Sequence, residues 1–192
     1  RNPGEACQWI SWYNMAERTY CRAGAGCQLD QVLLPYYEKS KKEGMTDEEA
    51  TFILACFLLI DPHYYQLGGP AADGSDNTNR LSYLLLEAAH NLKSTANLTI
   101  RVFDGMDEGL MRRGLEILFE DKLGYPRFSG DKALVEGFMK NGYSAELARK
   151  RIALGCNWMS LPGLEYTMND LIKINMAKVF EVAFSEYQGE ST

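Results

Sequence analysis

The residues best suited to chemistry are gathered in one short stretch, Ala153-Leu154-Gly155-Cys156-Asn157-Trp158-Met159-Ser160-Leu161-Pro162-Gly163-Leu164-Glu165-Tyr166. Gly155 permits a positive φ or a close backbone approach, and Pro162-Gly163 is turn chemistry. A helical period runs into the stretch from Ser144 and another leaves it from about Thr167. Cys156 is therefore expected on a tight turn between two packed helices, where its sulfur can face a cavity. A free cysteine can equally be a small buried hydrophobe, the commoner fate of this residue. The stretch alone leaves both readings open.

Around it lies an ordinary globular composition. The 192 residues are 46% hydrophobic and 24% charged, enough for one domain with a sizeable core. A net charge of −6 argues against a general nucleic-acid binder, and Lys39-Ser40-Lys41-Lys42 reads as the solvated end of a helix. The apolar run Thr51 to Ile60 is too short to span a bilayer. Five cysteines (7, 21, 27, 56, 156) contain no Cys-x-x-Cys, and His63 and His90 are far apart. That spacing suits neither zinc nor a secreted disulfide framework, so reduced thiols in a cytoplasm are expected.

The elements that must position the stretch follow in order. Trp9 to Tyr20 has a helical period with Ile10, Tyr13, Met15 and Tyr20 as expected buried positions. In Ala23-Gly24-Ala25-Gly26-Cys27 no strand precedes and no Lys-Ser/Thr follows, so a turn or close approach is expected, not a phosphate loop. Leu29 to Glu43 reads as a helix with Pro35 as a kink and Gly44 as the stop. Thr46-Asp47-Glu48-Glu49 is a capping box opening a helix to about Ile60, apolar enough beyond Ala50 to be buried on most sides. His63 to Gln66 is a short strand before a polar loop, and Leu81, Leu84, Leu85, Ala88 and Leu92 form one helical face with His90 off it. Asn97 to Phe103 alternates as a strand, Asp107 to Phe119 is an amphipathic helix, Tyr125 to Phe128 a short strand and Asp131 to Lys140 a helix. Ser144 caps a helix ending at Gly155, and Thr167 to Tyr187 is the longest, with Met168, Ile172, Met176, Val179, Phe180, Ala183 and Phe184 on one stripe. Helices alternating with strands make an α/β pattern with parallel neighbours, in too few strands to close a barrel. Open sheet edges and the start at Arg1-Asn2-Pro3 suggest a piece of something longer.

Several stretches, taken in order, resemble the glycyl radical enzymes of the pyruvate formate-lyase-like superfamily. They are Ala23 to Gln31, Leu67-Gly68-Gly69 with Asp73-Gly74-Ser75-Asp76, Leu81 to Ala88, Asn97 to Val102 and Gly155-Cys156. The resemblance implies a partial segment, residues 1–192, of a ten-stranded α/β barrel, helix-rich with few short strands. It implies that Cys156 is the cysteine that receives a radical stored on a glycine. The Arg-x-x-Gly-Tyr motif of that glycine is absent after Cys156, so the glycyl radical would lie outside this segment, installed by a radical-SAM activating enzyme. A homodimeric full-length subunit, with small accessory subunits as a further partner, is implied likewise. A thiyl shuttles hydrogen and needs no low thiol pKa, so an apolar setting that disfavours a thiolate is acceptable.

Family lyases carry Glu two residues after the cysteine, whereas this chain has Trp158; formate acetyltransferases have two adjacent cysteines, and here the neighbour is Gly155. Cys156-Asn157-Trp158 looks closer to the alkyl- or benzylsuccinate synthase branch, which adds a hydrocarbon to fumarate with no proton-transfer group beside the sulfur. Trp158 is then expected in an apolar pocket. Asp170 is a candidate substrate-binding carboxylate, and Arg101 could grip a carboxylate with its fork, although strand arginines more often face outward. His63, Tyr64 and Asp73 stand near a strand end and loop, where barrel sites collect. The alternatives are a decarboxylase, dehydratase or other lyase with its acid/base group at Glu165 or Asp170, a formate acetyltransferase-like enzyme, or a non-catalytic binding segment.

Overall fold

A computed structural model describes residues 2–21, 26–93, 96–155, 158–165 and 174–187. Helix α1 (Pro3–Cys21) leads to β1 (Gly26–Gln28), α2 (Leu29–Lys42), α3 (Asp47–Ile60), β2 (Tyr64–Gly68), α4 (Arg80–Leu92), β3 (Leu98–Val102), α5 (Glu108–Asp121), β4 (Arg127–Gly130) and α6 (Asp131–Lys140). A single helical turn, α7 (Ala145–Ala148), precedes β5 (Ile152–Leu154) and β6 (Trp158–Ser160), and α8 (Met176–Tyr187) follows.

The first four strands form one parallel sheet in the order β1-β2-β3-β4. Its register sorts side chains into two faces, because alternate residues point oppositely. Cys27, Tyr65 and Leu98 fall on one row, and Leu67, Ile100 and Phe128 on the next. Tyr65, Leu67, Leu98 and Ile100 belong to the core that α1 to α5 cover, and the half-buried Cys27 and Phe128 pack against it. The other face carries Gln28, Gln66, Thr99 and Arg127 on one row and Gly68, Arg101 and Ser129 on another. A parallel sheet usually has apolar residues on both faces. Here one face is polar.

Most of the expected helices and strands and the parallel pairing are present, and the differences are instructive. Gly26–Gln28 is an edge strand where a turn is expected. The period over 144–155 predicts a helix, but Ser144 caps only one turn, its Oγ accepting from the Leu147 N–H at 3.2 Å. Ile152 to Leu154 then pairs antiparallel with Trp158 to Ser160, so strands and not helices flank residues 156 and 157. Tertiary contact with the sheet overrides local periodicity there. In α1 the buried stripe is Cys7, Ser11 and Asn14, while Tyr13 and Met15 are exposed. Asn14 donates to Asp61 and to the Tyr65 hydroxyl, both at 2.9 Å, so a polar residue occupies the interior position that apolarity assigned elsewhere. Phe52, Leu59 and Ile60 of α3 are exposed, so that helix is buried along one side only. Helix α8 is described from Met176, and Thr167, Met168 and Ile172 of the expected helix lie outside the described residues; Met176, Val179, Phe180 and Phe184 of its predicted buried stripe are exposed. No described helix is long and apolar enough to cross a membrane.

Candidate functional site

The polar face is organised by Asp131, placed at the first position of α6 as the chain leaves β4. Its carboxylate is shared by two guanidiniums. Arg101 of β3 donates from Nε at 3.1 Å and also from Nη2, and Arg151, just before β5, donates from Nη2. Arg101 further donates to Gln28 Oε1 at 3.3 Å and to the Arg149 carbonyl at 2.8 Å. Its side chain crosses Gly69, where a Cβ would meet Arg101 Nε at 2.7 Å and where φ is +89°. Both facts select glycine. Arg151 has no exposed surface and also donates to Ser129 Oγ at 3.1 Å and Gln66 Oε1 at 3.4 Å. Burial lowers its pKa to about 10, with the Arg101 cation pushing the same way and Asp131 opposing. Arg151 remains charged at neutral pH, and two guanidiniums and one carboxylate are buried together there.

The β5–β6 hairpin lies on this face. Ala153 N–H donates to Gln66 Oε1 at 3.0 Å, and Gln66 Nε2 donates to the Arg151 carbonyl at 3.3 Å. Beyond β6, Glu165 accepts from the Leu161 N–H at 3.0 Å and from the Tyr143 hydroxyl at 2.6 Å, closing the Pro162-Gly163 turn. Cys156 and Asn157 stand in sequence between the two strands and lie outside the described residues, as does Asp170.

Beside the hairpin, a cavity of 310 Å³ opens along β1 and the loop after β2. Gln28, Gln31, Asn77, Arg101, Arg149 and Lys150 supply its polar lining, and among the described residues no Asp or Glu lines it. Arg149 reaches the Ala72 carbonyl at 2.8 Å and so ties the cavity wall to the chain leading into β5. At the rim of the sheet, Asp30 is fully buried and accepts from Gly68 N–H (2.7 Å), Ser82 Oγ (2.6 Å) and Gln28 Nε2 (2.9 Å). Burial raises it to about 6 against the pull of these donors. Cys27 is pushed up to about 12 by burial and by the Asp30 and Asp61 carboxylates, which leaves it a neutral thiol.

The structure brings some of the predicted residues to this face and leaves others elsewhere. Arg101 faces the polar side, with its fork occupied by Asp131. Tyr64 lies at the start of β2 under the Arg127 guanidinium, 5.5 Å from the ring centre. His63 precedes β2 at the opposite strand end from Arg101 and contacts Asp61 and Arg18, each at 2.5 Å. Asp73 is exposed, and its Oδ1 accepts from Ser75 N–H (2.9 Å) and Oγ (2.7 Å), a turn-forming arrangement. Trp158, on β6, is 49% exposed and not enclosed in an apolar pocket. Gln66, Asp131 and Arg151, which organise the face, are absent from the sequence-level candidates. Their signal is the period-two polar series Tyr64/Gln66, Thr99/Arg101 and Arg127/Ser129 inside strands of a parallel sheet. Among the described residues, no group of three or more His, Cys, Asp or Glu side chains is placed to hold a metal.

Comparison with known proteins fits this architecture. A solved glycyl radical enzyme from Archaeoglobus fulgidus superposes with a TM-score of 0.79 at 25% identity over 95% of this chain and 26% of its own. The (2S)-3-sulfopropanediol dehydratase of Klebsiella oxytoca is 29% identical over 127 residues, 66% of this chain and 15% of that protein. An isethionate sulfite-lyase from Nitratidesulfovibrio vulgaris is 25% identical over 186 residues, 85% of this chain and 22% of that enzyme. The chain thus spans about a quarter or less of the length of these relatives. The profile of the pyruvate formate lyase-like family matches residues 1–191. This chain belongs to the pyruvate formate lyase-like glycyl radical enzymes.

Proposed function

We propose that this chain supplies the cysteine hairpin and adjoining sheet of a glycyl radical lyase acting on a small polar substrate. Cys156 carries the thiyl radical. The observation behind this reading is the hairpin β5–β6, which brackets Gly155-Cys156 and rests on the polar face of the parallel sheet. A thiyl takes a hydrogen atom from a substrate carbon, forming S–H and leaving a carbon radical. That radical loses a neighbouring group as an anion while the hydroxyl on the radical carbon gives up its proton to the leaving group or solvent and becomes a carbonyl, and the product radical takes the hydrogen back from sulfur. The radical itself comes from a glycine outside this segment, installed by a radical-SAM activating enzyme.

Two features favour a polar, oxygenated substrate over a hydrocarbon. The wall beneath the hairpin is built from Gln28, Gln66, Thr99, Arg101, Arg127 and Ser129. Among the described residues the adjoining cavity is lined by Arg101, Arg149 and Lys150 and by no Asp or Glu; Arg101 is paired with Asp131 and Lys150 with Glu146, so Arg149 is the cation that suits an anionic group such as the sulfonates named in two of the relatives. Addition of a hydrocarbon to fumarate is the second reading, favoured by Trp158 standing where family lyases have Glu. Glu165 is a poor substitute for that acid, because both of its oxygens are occupied by Leu161 N–H and Tyr143.

The test uses the full-length protein, activated anaerobically. Cys156→Ala should retain the glycyl radical in electron paramagnetic resonance and lose product completely. Retained turnover in that variant removes the assignment. Offered isethionate, a sulfonated diol, glycerol, or fumarate with toluene, the enzyme should release sulfite or water from one of the first three; fumarate consumption would transfer it to the second reading.

A further inference from the structure

We infer that Gln66 is a positioning residue for hydrogen transfer at Cys156, its side-chain amide holding the strand that leads into the cysteine. The inference rests on the thiyl reading above. Gln66 lies at the middle of β2 and has no exposed surface. Its Nε2 donates to the Arg151 carbonyl at 3.3 Å, and its Oε1 accepts from Ala153 N–H at 3.0 Å. These two backbone groups flank Ile152, and they are the pair that a neighbouring parallel strand would engage. A primary amide has the donor and acceptor of a peptide unit, so one side chain does the work of a strand. The opposite edge of β5 pairs with β6, Ile152 with Ser160 and Leu154 with Trp158. Strand β5 is therefore bonded on both sides, by a strand on one and by Gln66 on the other.

Gln66 Oε1 also receives Arg151 Nη1 at 3.4 Å, and Arg151 is held by Asp131. The amide thus joins the hairpin backbone to the buried ion cluster and both to the centre of the sheet. Hydrogen transfer between a glycine carbon, a sulfur and a substrate carbon needs near contact at each step, and a displacement of about 1 Å costs on the order of 100-fold in rate. Ile152 to Leu154 is the last described strand before Cys156, and among the described residues this amide makes the hydrogen bonds that tie its backbone to the sheet.

A substrate-free experiment reads this directly. In the full-length protein activated anaerobically, the glycyl radical gives a doublet, split by the one hydrogen on its α-carbon. When the radical passes to Cys156, the S–H bond breaks and its hydrogen joins the α-carbon; the return step breaks one α-C–H bond and re-forms S–H. In D2O the thiol exchanges with solvent, so deuterium enters the α-carbon and the doublet collapses to a singlet. Gln66→Leu should slow the collapse about tenfold or more, with radical yield and thermal midpoint retained. Gln66→Glu keeps the acceptor and loses the donor, and should slow it less; it also decides the matter if Gln66→Leu fails to fold. Collapse at the wild-type rate in a folded variant overturns the inference, as does slowing matched by lost radical yield or lost fold. Cys156→Ala separates the two levels. Undiminished collapse in Cys156→Ala defeats the thiyl reading itself, whereas blocked collapse there with wild-type collapse in the Gln66 variants defeats only the positioning role.

Discussion

The two faces of the four-stranded sheet are made from the same strands and obey different rules. On one, Cys27, Tyr65, Leu67, Leu98, Ile100 and Phe128 pack against helices, and burial of apolar area accounts for them. On the other, Gln28, Gln66, Thr99, Arg101, Arg127 and Ser129 meet one another and the hairpin. A polar wall inside a protein needs every group matched, since each unmatched donor or acceptor costs about 1–3 kcal/mol. The apolar face can tolerate changes of shape, while the polar face depends on a few specific partners. A parallel sheet ordinarily has apolar residues on both faces, so the polar one is the departure here.

The sharpest way to break this comparison is to remove one partner from each face. Asp131→Ala leaves the Arg101 and Arg151 guanidiniums buried together, which should cost about 3–5 kcal/mol in denaturant unfolding of the full-length protein. Ile100→Val removes one methylene from the packed face and should cost about 0.5–1.5 kcal/mol. Equal losses would mean that the ion cluster is open to water and that the two faces do not differ in kind.

Asp30 tests the boundary between the faces through pH. Its folded pKa, raised to about 6 by burial, lies above the unfolded carboxylate value of roughly 3.9. The folded state therefore binds this proton more tightly, and stability from Asp30 is greatest at low pH and falls as pH rises through 6. Between pH 4.5 and 7 that amounts to about 2 kcal/mol, at 1.4 kcal/mol per unit. Asp30→Asn should gain on the wild type by about this amount over the same interval in paired unfolding curves. A constant difference between the two proteins would show that the three hydrogen bonds fully offset burial.

Much of the apolar face is legible in the sequence. The stripe Leu81, Leu84, Leu85 and Ala88 is buried as its spacing predicts, and the alternation in Asn97 to Phe103 marks β3 correctly. Resemblance over the stretches from Ala23 to Cys156 points to the family that the profile over 1–191 shows. The polar face is less legible, because local periodicity treats a polar residue as solvent-facing. Gln66 makes its hydrogen bonds 85 and 87 residues away, and Arg151 meets Asp131 20 residues back, so no local window contains both partners. Strand β5 is obscure for the same reason: three residues carry no period, and its structure comes from the sheet beneath it. The likeness to the fumarate-adding branch rests on Cys156-Asn157-Trp158 followed by Pro162-Gly163-Leu164-Glu165-Tyr166, with Trp158 expected in an apolar pocket; Trp158 is half-exposed.

The smallest expected effect concerns a feature that is wholly local. The Thr46 hydroxyl accepts from the Glu49 N–H at 3.1 Å while a Glu49 carboxylate oxygen accepts from the Thr46 N–H at 2.8 Å, as the spacing of the two residues predicts. Removing the hydroxyl in Thr46→Ala leaves one N–H of the first turn of α3 to water and should cost about 1 kcal/mol. Thr46→Ser keeps the oxygen and should recover most of it. Helix α3 packs with α1 and α4 on the apolar side of the sheet, and the Thr46 hydroxyl bonds within the first turn of its own helix. The collapse of the glycyl doublet in D2O should therefore run at the wild-type rate in Thr46→Ala, even though stability has fallen. A slowed collapse there would mean that general loosening of the fold is enough to misplace the cysteine, and the two faces would then be mechanically one.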